Sequence, residues 1–264
     1  MSEKDNAGPS AIPPPLESQI HSTSRDDLLR VAADPALTED LALAMLKRAD
    51  LPPAVLEQLS KNGNVLKLRK VKMALVTHAH TPRHVSVPLA RQFYTFDLLK
   101  VALSPTVPAD VKVAVDKVLI ARVKTITLGE RLSLARRASG RVAGALLLDS
   151  EARVMRIALE NPRLTEAFVI QAVLRPQASA TLVQAVQHAK WSHRREVRCA
   201  LLRTEYLSLA RALEFSHGIP APLLREVLKT SRLTAKIKDQ LLRESQAAWA
   251  GCQERSDSGQ QNIS

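Results

Sequence analysis

The chain has 264 residues, of which 45% are hydrophobic but only 3% are aromatic, and its 38 Lys and Arg exceed its 26 Asp and Glu to give a net charge of +12. This apolar content excludes a globally disordered chain, and eight glycines are too few for a collagen-like chain or a series of tight hairpins. The composition therefore favours a helical protein whose core is built mainly from Leu, Val and Ala.

Both ends of the chain are predicted to be disordered tails. Residues 1 to 22 are rich in Pro, and residues 251 to 264 have too few apolar side chains to offset the entropy lost on ordering. The N-terminal segment lacks the apolar stretch of a secretory signal, and no run of 18 apolar residues occurs. These features predict a soluble, cytoplasmic protein without membrane insertion. The tails together carry −3, so residues 23 to 250 carry +15.

Two cysteines are too few for a disulfide scaffold or a four-thiolate metal site. In the predicted cytoplasmic compartment both are expected to be reduced. Cys199, within REVRCALL, is expected to be a small core residue, and Cys252 a free thiol in the C-terminal tail.

Between the tails, an apolar residue followed by Thr, Ser or Pro recurs 14 residues apart. The pairs are Leu37-Thr38 and Leu51-Pro52, Leu164-Thr165 and Ala178-Ser179, and Ile219-Pro220 and Leu233-Thr234. Thr and Ser cap helix N-termini, and Pro is tolerated there because it lacks the amide hydrogen. Each step predicts one helix of about three turns, which is marginal alone and must stack on its neighbours. The sequence thus predicts an all-α, superhelical α-solenoid of about fifteen short helices within residues 23 to 250.

In addition to the 14-residue step, the sequence contains a longer repeat. RKVKMALV, which starts at Arg69, aligns without gaps on REVRCALL, which starts at Arg195, at an offset of 126 residues. Upstream, ADPALTEDL aligns with ENPRLTEAF when one residue is inserted. The pattern predicts a tandem duplication with a first copy at about 31–115, a middle segment at about 116–156 and a second copy at about 157–241.

Three segments carry a resemblance to known proteins: ENPRLTEAFVIQAVL, WSHRREVRCALL and LGERLSLARRASGRVAGALL. With them, most of the chain from Thr23 to Arg243 resembles bacterial α-helical repeat proteins of the HEAT-like or leucine-rich-repeat-variant kind. The resemblance implies a helical-repeat fold, and it implies a binding scaffold as the general role.

Basic residues cluster at equivalent places in the two copies. The first copy has Lys61, Lys67, Arg69, Lys70 and Lys72, and the second has Lys190, Arg194, Arg195 and Arg198. Because the duplication maps Arg69 on Arg195 and Lys72 on Arg198, the clusters are predicted to occupy the same face of the repeat. If they line one groove, they would attract phosphates; the alternative is a solvated face with an excess of Arg.

The middle segment adds Arg136, Arg137, Ser139 and Arg141. Ser139 or Gly140 is predicted to open a helix, and a helix N-terminus flanked by three arginines would suit an anion. The alternative is a capped helix start with surface arginines. Trp191 could stack on a base or a partner, or pack at the rim of the fold.

Three histidines, His78, His80 and His84, lie in THAHTPRHV and raise the question of a zinc site. The segment also reads as a turn leading into a helix capped by Thr81, with Pro82 at its first position, so the rings need not converge. No metal or other cofactor is therefore expected.

No catalytic motif is present, so the leading hypothesis is a noncatalytic scaffold whose basic face binds an acidic partner, expected to be a protein. A nucleic-acid-binding protein that grips the phosphate backbone without strong sequence preference is the alternative. An enzyme that uses the histidines or the segment from Arg136 to Arg141 is a third hypothesis.

Overall fold

The structure, a computed structural model, describes residues 16 to 246, which contain helices and no strand. The all-α prediction is confirmed for these residues. Cys252 and the predicted C-terminal tail lie outside the described residues. Of the predicted N-terminal tail, residues 16 to 19 form a helical turn and Ile20 is buried.

The chain divides into two compact units, residues 1 to 118 and residues 119 to 264, so most of the predicted middle segment, which runs from about 116 to 156, belongs to the second. The helices of the described part of unit 1 are α1 (Leu16–Gln19), α2 (Arg25–Ala33), α3 (Glu39–Leu46), α4 (Pro53–Lys61), α5 (Gly63–Leu66), α6 (Arg69–Thr77), α7 (Arg83–Ala90) and α8 (Thr95–Leu103). The division between the units falls within α9 (Ala109–Arg122).

Unit 2 continues with helices of the same length. These are α10 (Leu128–Arg137), α11 (Gly140–Leu146), α12 (Ala152–Leu159), α13 (Glu166–Val173), α14 (Ala180–His188), a 3₁₀ helix (Lys190–His193), α15 (Arg195–Leu202), α16 (Leu209–Ser216) and α17 (Ala221–Lys229). Residues 235 to 246 are also helical. The described helices outnumber the predicted fifteen, and three of them, α1, α5 and the 3₁₀ helix, are single turns of four residues.

Several helix starts follow the caps that the sequence predicts, although Thr165 precedes α13 without a side-chain cap bond. Thr38 and Ser179 precede α3 and α14, and each side chain accepts a hydrogen bond from a backbone N–H of the first turn. Pro52 and Pro220 precede α4 and α17. The start of α7 differs, because Pro82 rather than Thr81 is its cap. The Thr81 hydroxyl donates to the carbonyl of Leu75 and so closes the preceding turn instead.

Within each unit, helices pack on their neighbours in the chain and also on a helix two or three positions further along. In unit 2, α10, α12 and α14 form one row, and α11, α13, α15 and α17 form a second row. In unit 1 the corresponding pairs are α2 with α4, α3 with α6 and α6 with α8. Such pairing buries the apolar stripe that a three-turn helix cannot bury alone.

The core is aliphatic, as the composition predicts. Eleven leucines and Met45 are among the largest fully buried side chains of the described residues. Cys199 is also buried, and this burial raises the pKa of its thiol. No helix among residues 16 to 246 combines the length and the apolar character that crossing a bilayer requires.

Candidate functional site

The positive charge of the protein is concentrated in unit 2. The described part of unit 2 has 22 Lys and Arg against 11 Asp and Glu, a net charge of +11. The described part of unit 1 has 14 basic against 11 acidic residues, a net charge of +3. A binding surface for a polyanion is therefore expected in unit 2.

The basic cluster of the first copy is largely engaged in pairs. Arg69 forms a bidentate ion pair with Asp97, with Nε–Oδ2 at 2.8 Å and Nη2–Oδ1 at 2.6 Å. The Asp97 side chain is only 3% exposed, so Arg69 compensates a buried carboxylate. Lys70 lies 3.8 Å from Glu39, and Lys72 donates to Gln92. Lys67 is exposed and has no such partner in the described part of unit 1.

The basic cluster predicted for the second copy is less neutralised. Arg195, which the sequence aligns with Arg69, is exposed and makes no ion pair with the described residues. Arg194 lies 3.2 Å from Glu166. Arg198 reaches the carbonyl of His217 at 3.4 Å, while its buried Nε has no hydrogen-bond partner among the described atoms. The two clusters thus differ in how much of their charge is paired within the described residues.

Two buried side chains hold the loops that follow α10, α12 and α14 against one another. The Asn161 amide donates to the carbonyls of Ala135 and Ala138, at 2.8 and 3.2 Å, and so ties the second loop to the end of α10. The Trp191 indole N–H donates to the carbonyl of Leu159 at 3.0 Å and ties the third loop to the end of α12. The three loops therefore form one connected edge of unit 2.

We call this surface the basic edge, because each of its loops presents arginine or lysine side chains. Its members are Arg136, Arg137, Arg141, Arg163, Lys190, Arg194 and Arg195, all of them exposed. Arg163 Nη1 donates to the carbonyl of Arg137 at 3.1 Å, and Arg194 pairs with Glu166 beyond it. The structure thus brings together the middle-segment arginines and the second-copy cluster, which the sequence treats separately.

The segment from Arg136 to Arg141 does not offer an open helix N-terminus. Ser139 is the N-cap of α11, as predicted, and its hydroxyl accepts from the N–H of Val142 at 3.3 Å. Gly140 is buried, and a Cβ there would collide with the carbonyl oxygen of Arg163. Arg136 and Arg137 therefore act as exposed charges on the basic edge, while Ser139 is engaged in capping.

A groove of about 800 Å³ lies between α12 and α14, next to the basic edge. Its lining mixes charged, polar and apolar side chains: Arg156, Leu159, Glu160, Thr181, Gln184, Ala185, His188, Ala189 and Lys190. Lys190 belongs to both the groove and the basic edge. A ligand in this groove would therefore meet apolar walls as well as cationic groups.

Trp191 packs in the core and does not offer its ring to a ligand. It is 4% exposed, and the cations of Lys190 and Arg194 lie 5.3 and 5.7 Å from its ring centroid. These cation–π distances help to fix the two basic side chains at the edge. Stacking on a base or a partner would require Trp191 to leave the core.

The three histidines make separate structural contacts. His78 Nε2 donates to the carbonyl of Arg48 at 2.8 Å and its Nδ1 accepts from the N–H of His80 at 3.2 Å, which together define the neutral Nε2–H tautomer. His80 Nδ1 lies 3.2 Å from the carbonyl of Leu51, and His84 lies 3.8 Å from Glu57. Among residues 16 to 246, no group of three potential ligands is placed to hold a metal ion.

The sequence alone does not single out Arg163 and Asn161 as members of this site. Both lie in ENPRLT, a segment in which Thr165 is the residue that attracts attention, as a predicted helix cap. A signal was available: a polar residue just after a helix is placed to bond the carbonyl ends of a neighbouring helix. Which neighbour it reaches depends on the packing of α12 on α10 and not on the local sequence.

No protein-family model matches the chain, and comparison with curated proteins and with solved structures finds no match either.

Proposed function

We propose that this chain is a noncatalytic helical-repeat scaffold and that the basic edge of unit 2 binds an acidic segment of a partner protein. The observation that carries the proposal is the joining of three loops into one edge with exposed arginines, in a unit of net charge +11. Arg136, Arg137 and Arg195 make no side-chain ion pair with the described residues, so their guanidinium groups can bind carboxylates in bidentate fashion.

The mixed chemistry of the adjoining groove supports a protein partner over nucleic acid. Glu160 interrupts its positive charge, and Leu159, Ala185 and Ala189 contribute apolar walls. Because the Trp191 ring is buried, it provides no platform for stacked bases. An acidic peptide that also carries apolar side chains matches this surface better than a uniformly charged phosphate backbone does.

Nucleic acid is the second candidate, and the arginine content of unit 2 favours it. A surface with this charge would bind a duplex backbone through counterion release, with affinity that falls steeply as salt increases. In this candidate function the protein contacts the phosphate backbone and does not recognise a base sequence.

We further propose that the first copy, at about 31–115, and the second copy, at about 157–241, are short α-solenoid segments related by tandem duplication, in keeping with the resemblance to HEAT-like repeat proteins. The helix starts support this, because α15 begins 126 residues after α6, at Arg195 and Arg69 respectively. α13 begins 127 residues after α3, at Glu166 and Glu39. The contacts α2 with α4 and α6 with α8 recur as α12 with α14 and α15 with α17.

The test measures binding of the full chain to two fluorescent probes, a peptide of alternating Glu and Leu and a duplex DNA. The triple variant Arg136→Gln, Arg137→Gln, Arg195→Gln should weaken peptide binding about tenfold or more, because three unpaired guanidinium groups are lost. The control, Arg225→Gln, Lys236→Gln, Arg243→Gln, removes the same charge from unit 2 outside the three loops and should change affinity less than about twofold.

Two results would count against the proposal. Equal losses in both triple variants would mean that binding follows net charge and not the basic edge. Tighter binding of the duplex than of the peptide, with a steep salt dependence, would instead support the nucleic-acid candidate.

A further inference from the structure

Three arginines lie just after the C-terminal ends of the second-row helices α13, α15 and α17. The basic edge lies at the other end of this row of helices. Arg175 follows α13, Arg203 follows α15 and Arg232 follows α17. In sequence, Arg175 and Arg203 are 28 residues apart, and Arg203 and Arg232 are 29 residues apart. They are nevertheless neighbours in the fold, because α13 packs on α15 and α15 packs on α17. The fold therefore brings side chains that are far apart in sequence to one place.

These arginines line a pocket of about 100 Å³, which we call the arginine pocket. The rest of its wall comes from the same three turns: Val173, Leu174, Pro176, Ala178, Thr204, Glu205, Tyr206 and Thr230. The turns are held together by backbone and side-chain bonds, since the N–H of Arg232 donates to the carbonyl of Arg203 at 3.0 Å and the Ser231 hydroxyl donates to the carbonyl of Leu202 at 2.6 Å. The pocket is thus a built part of unit 2.

The charges around the pocket do not cancel. None of Arg175, Arg203 and Arg232 makes a side-chain ion pair with the described residues, and the buried Nε of Arg203 has no hydrogen-bond partner there. The single carboxylate of the lining is Glu205, and its interaction with the neighbouring Tyr206 phenol raises the pKa of Tyr206. Three arginines and one carboxylate therefore line the pocket, an excess of about two positive charges.

Arg48 of unit 1, which aligns with Arg175 in sequence, has a structural role and serves as a comparison. Arg48 follows α3 as Arg175 follows α13, and it pairs with Asp50 at 2.7 Å. Its Nη1 also donates to the carbonyls of Ile20 and Ser22, at 2.7 and 2.9 Å. In unit 2, Gln177 occupies the place of Asp50 in the turn, so Arg175 has no carboxylate two residues away.

We infer that the arginine pocket binds one tetrahedral oxyanion of charge near −2, either inorganic phosphate or the phosphate group of a small phosphate monoester. Arginine offers planar pairs of donors that fit phosphate oxygens, and an excess of two positive charges matches a dianion. A volume of about 100 Å³ suits one such group, whereas drug-sized ligands occupy pockets of roughly 300 Å³ or more.

The test is calorimetric titration of the full chain at constant ionic strength with inorganic phosphate, phenyl phosphate and sulfate. Phosphate should bind at one site at a pH where it is doubly charged, and sulfate, a tetrahedral dianion of similar size, should compete for the same site. The double variant Arg175→Gln, Arg232→Gln should weaken phosphate about tenfold or more. Both side chains are exposed, so circular dichroism should report an unchanged fold.

Two controls separate the arginine pocket from general positive charge. Arg225→Gln on α17, and the triple variant of the basic edge, should leave phosphate binding within about twofold. Preference for phenyl phosphate would identify a monoester as the ligand class, and preference for the inorganic ion would identify free phosphate. Absence of binding at millimolar phosphate, or equal weakening in the control variants, would overturn the inference.

Discussion

Asn161 and Trp191 illustrate how single buried side chains position a surface that they do not themselves form. Asn161 is 2% exposed. Its amide nitrogen donates to two carbonyls, and its amide oxygen accepts from the N–H of Arg163 at 2.7 Å. That last bond fixes the backbone of an arginine on the basic edge. The position of exposed charge is thus set by bonds made in the interior.

Replacing Asn161 with Ala should lower the free energy of unfolding by about 1 to 3 kcal/mol, because the buried carbonyls of Ala135 and Ala138 lose their donor. The measurement is urea denaturation followed by circular dichroism. Asn64→Ala provides the control, since the exposed Asn64 amide donates to Pro35. It should cost less than about 0.5 kcal/mol. Equal losses in the two variants would show that the buried bonds of Asn161 do not stabilise the fold.

For single residues, the sequence predicts burial and helix capping better than it predicts which distant group a side chain contacts. The buried Cys199 and the capping role of Ser139 follow from local pattern. The roles of His78 and Arg69 do not, because their partners, the Arg48 carbonyl and Asp97, lie about 30 residues away in the chain. Only packing reveals that Arg69 neutralises a buried carboxylate.

At the scale of elements, the recurring device is a side chain in one turn that bonds the end of a neighbouring helix. In unit 1, Asn62 donates to the carbonyls of Ala32 and Asp34, and Thr106 donates to that of Thr77. In unit 2, Asn161 and Trp191 do the same. These bonds satisfy carbonyls that the last turn of a helix leaves without a partner, and they fix neighbouring helices in register.

Packing of α11 on α13 depends on glycine. A Cβ added at Gly144 would lie 2.9 Å from Cβ of Phe168, an atom too close to the backbone to move freely. Gly144→Ala should therefore destabilise the protein by about 1 to 3 kcal/mol despite the higher helix propensity of alanine. Gly129→Ala in the first turn of α10 meets no atom within 4 Å and should be neutral or stabilising by up to about 1 kcal/mol.

Thermal denaturation of the two variants side by side measures this difference. A stabilising Gly144→Ala would contradict the close approach of α11 and α13. The sequence predicts the starts of these helices from their caps, but it does not predict which faces meet, because that depends on the pairing of each helix with the one two positions further along.

At the scale of the whole molecule, the unequal distribution of charge is the feature that separates the two units. The sequence aligns one basic cluster of unit 1 with one of unit 2 and does not show which of their charges are paired. The contacts show that Arg69 and Lys70 of unit 1 face Asp97 and Glu39, whereas Arg195 of unit 2 has no such partner among residues 16 to 246. The sequence therefore predicts the sign of the proposed binding surface, and the pairing of charges is the reason to propose it in unit 2.

Hydrogen–deuterium exchange of the full chain, with and without the acidic Glu-Leu peptide, tests the central claim most directly. Bound peptide should slow exchange in the three loops of the basic edge, within residues 138 to 142, 160 to 166 and 189 to 195, and in the facing parts of α12 and α14. Exchange in unit 1 and around the arginine pocket should be unchanged. Protection centred on the basic cluster from Lys67 to Lys72, or none in the three loops at saturating peptide, would contradict the assignment of the binding surface to unit 2.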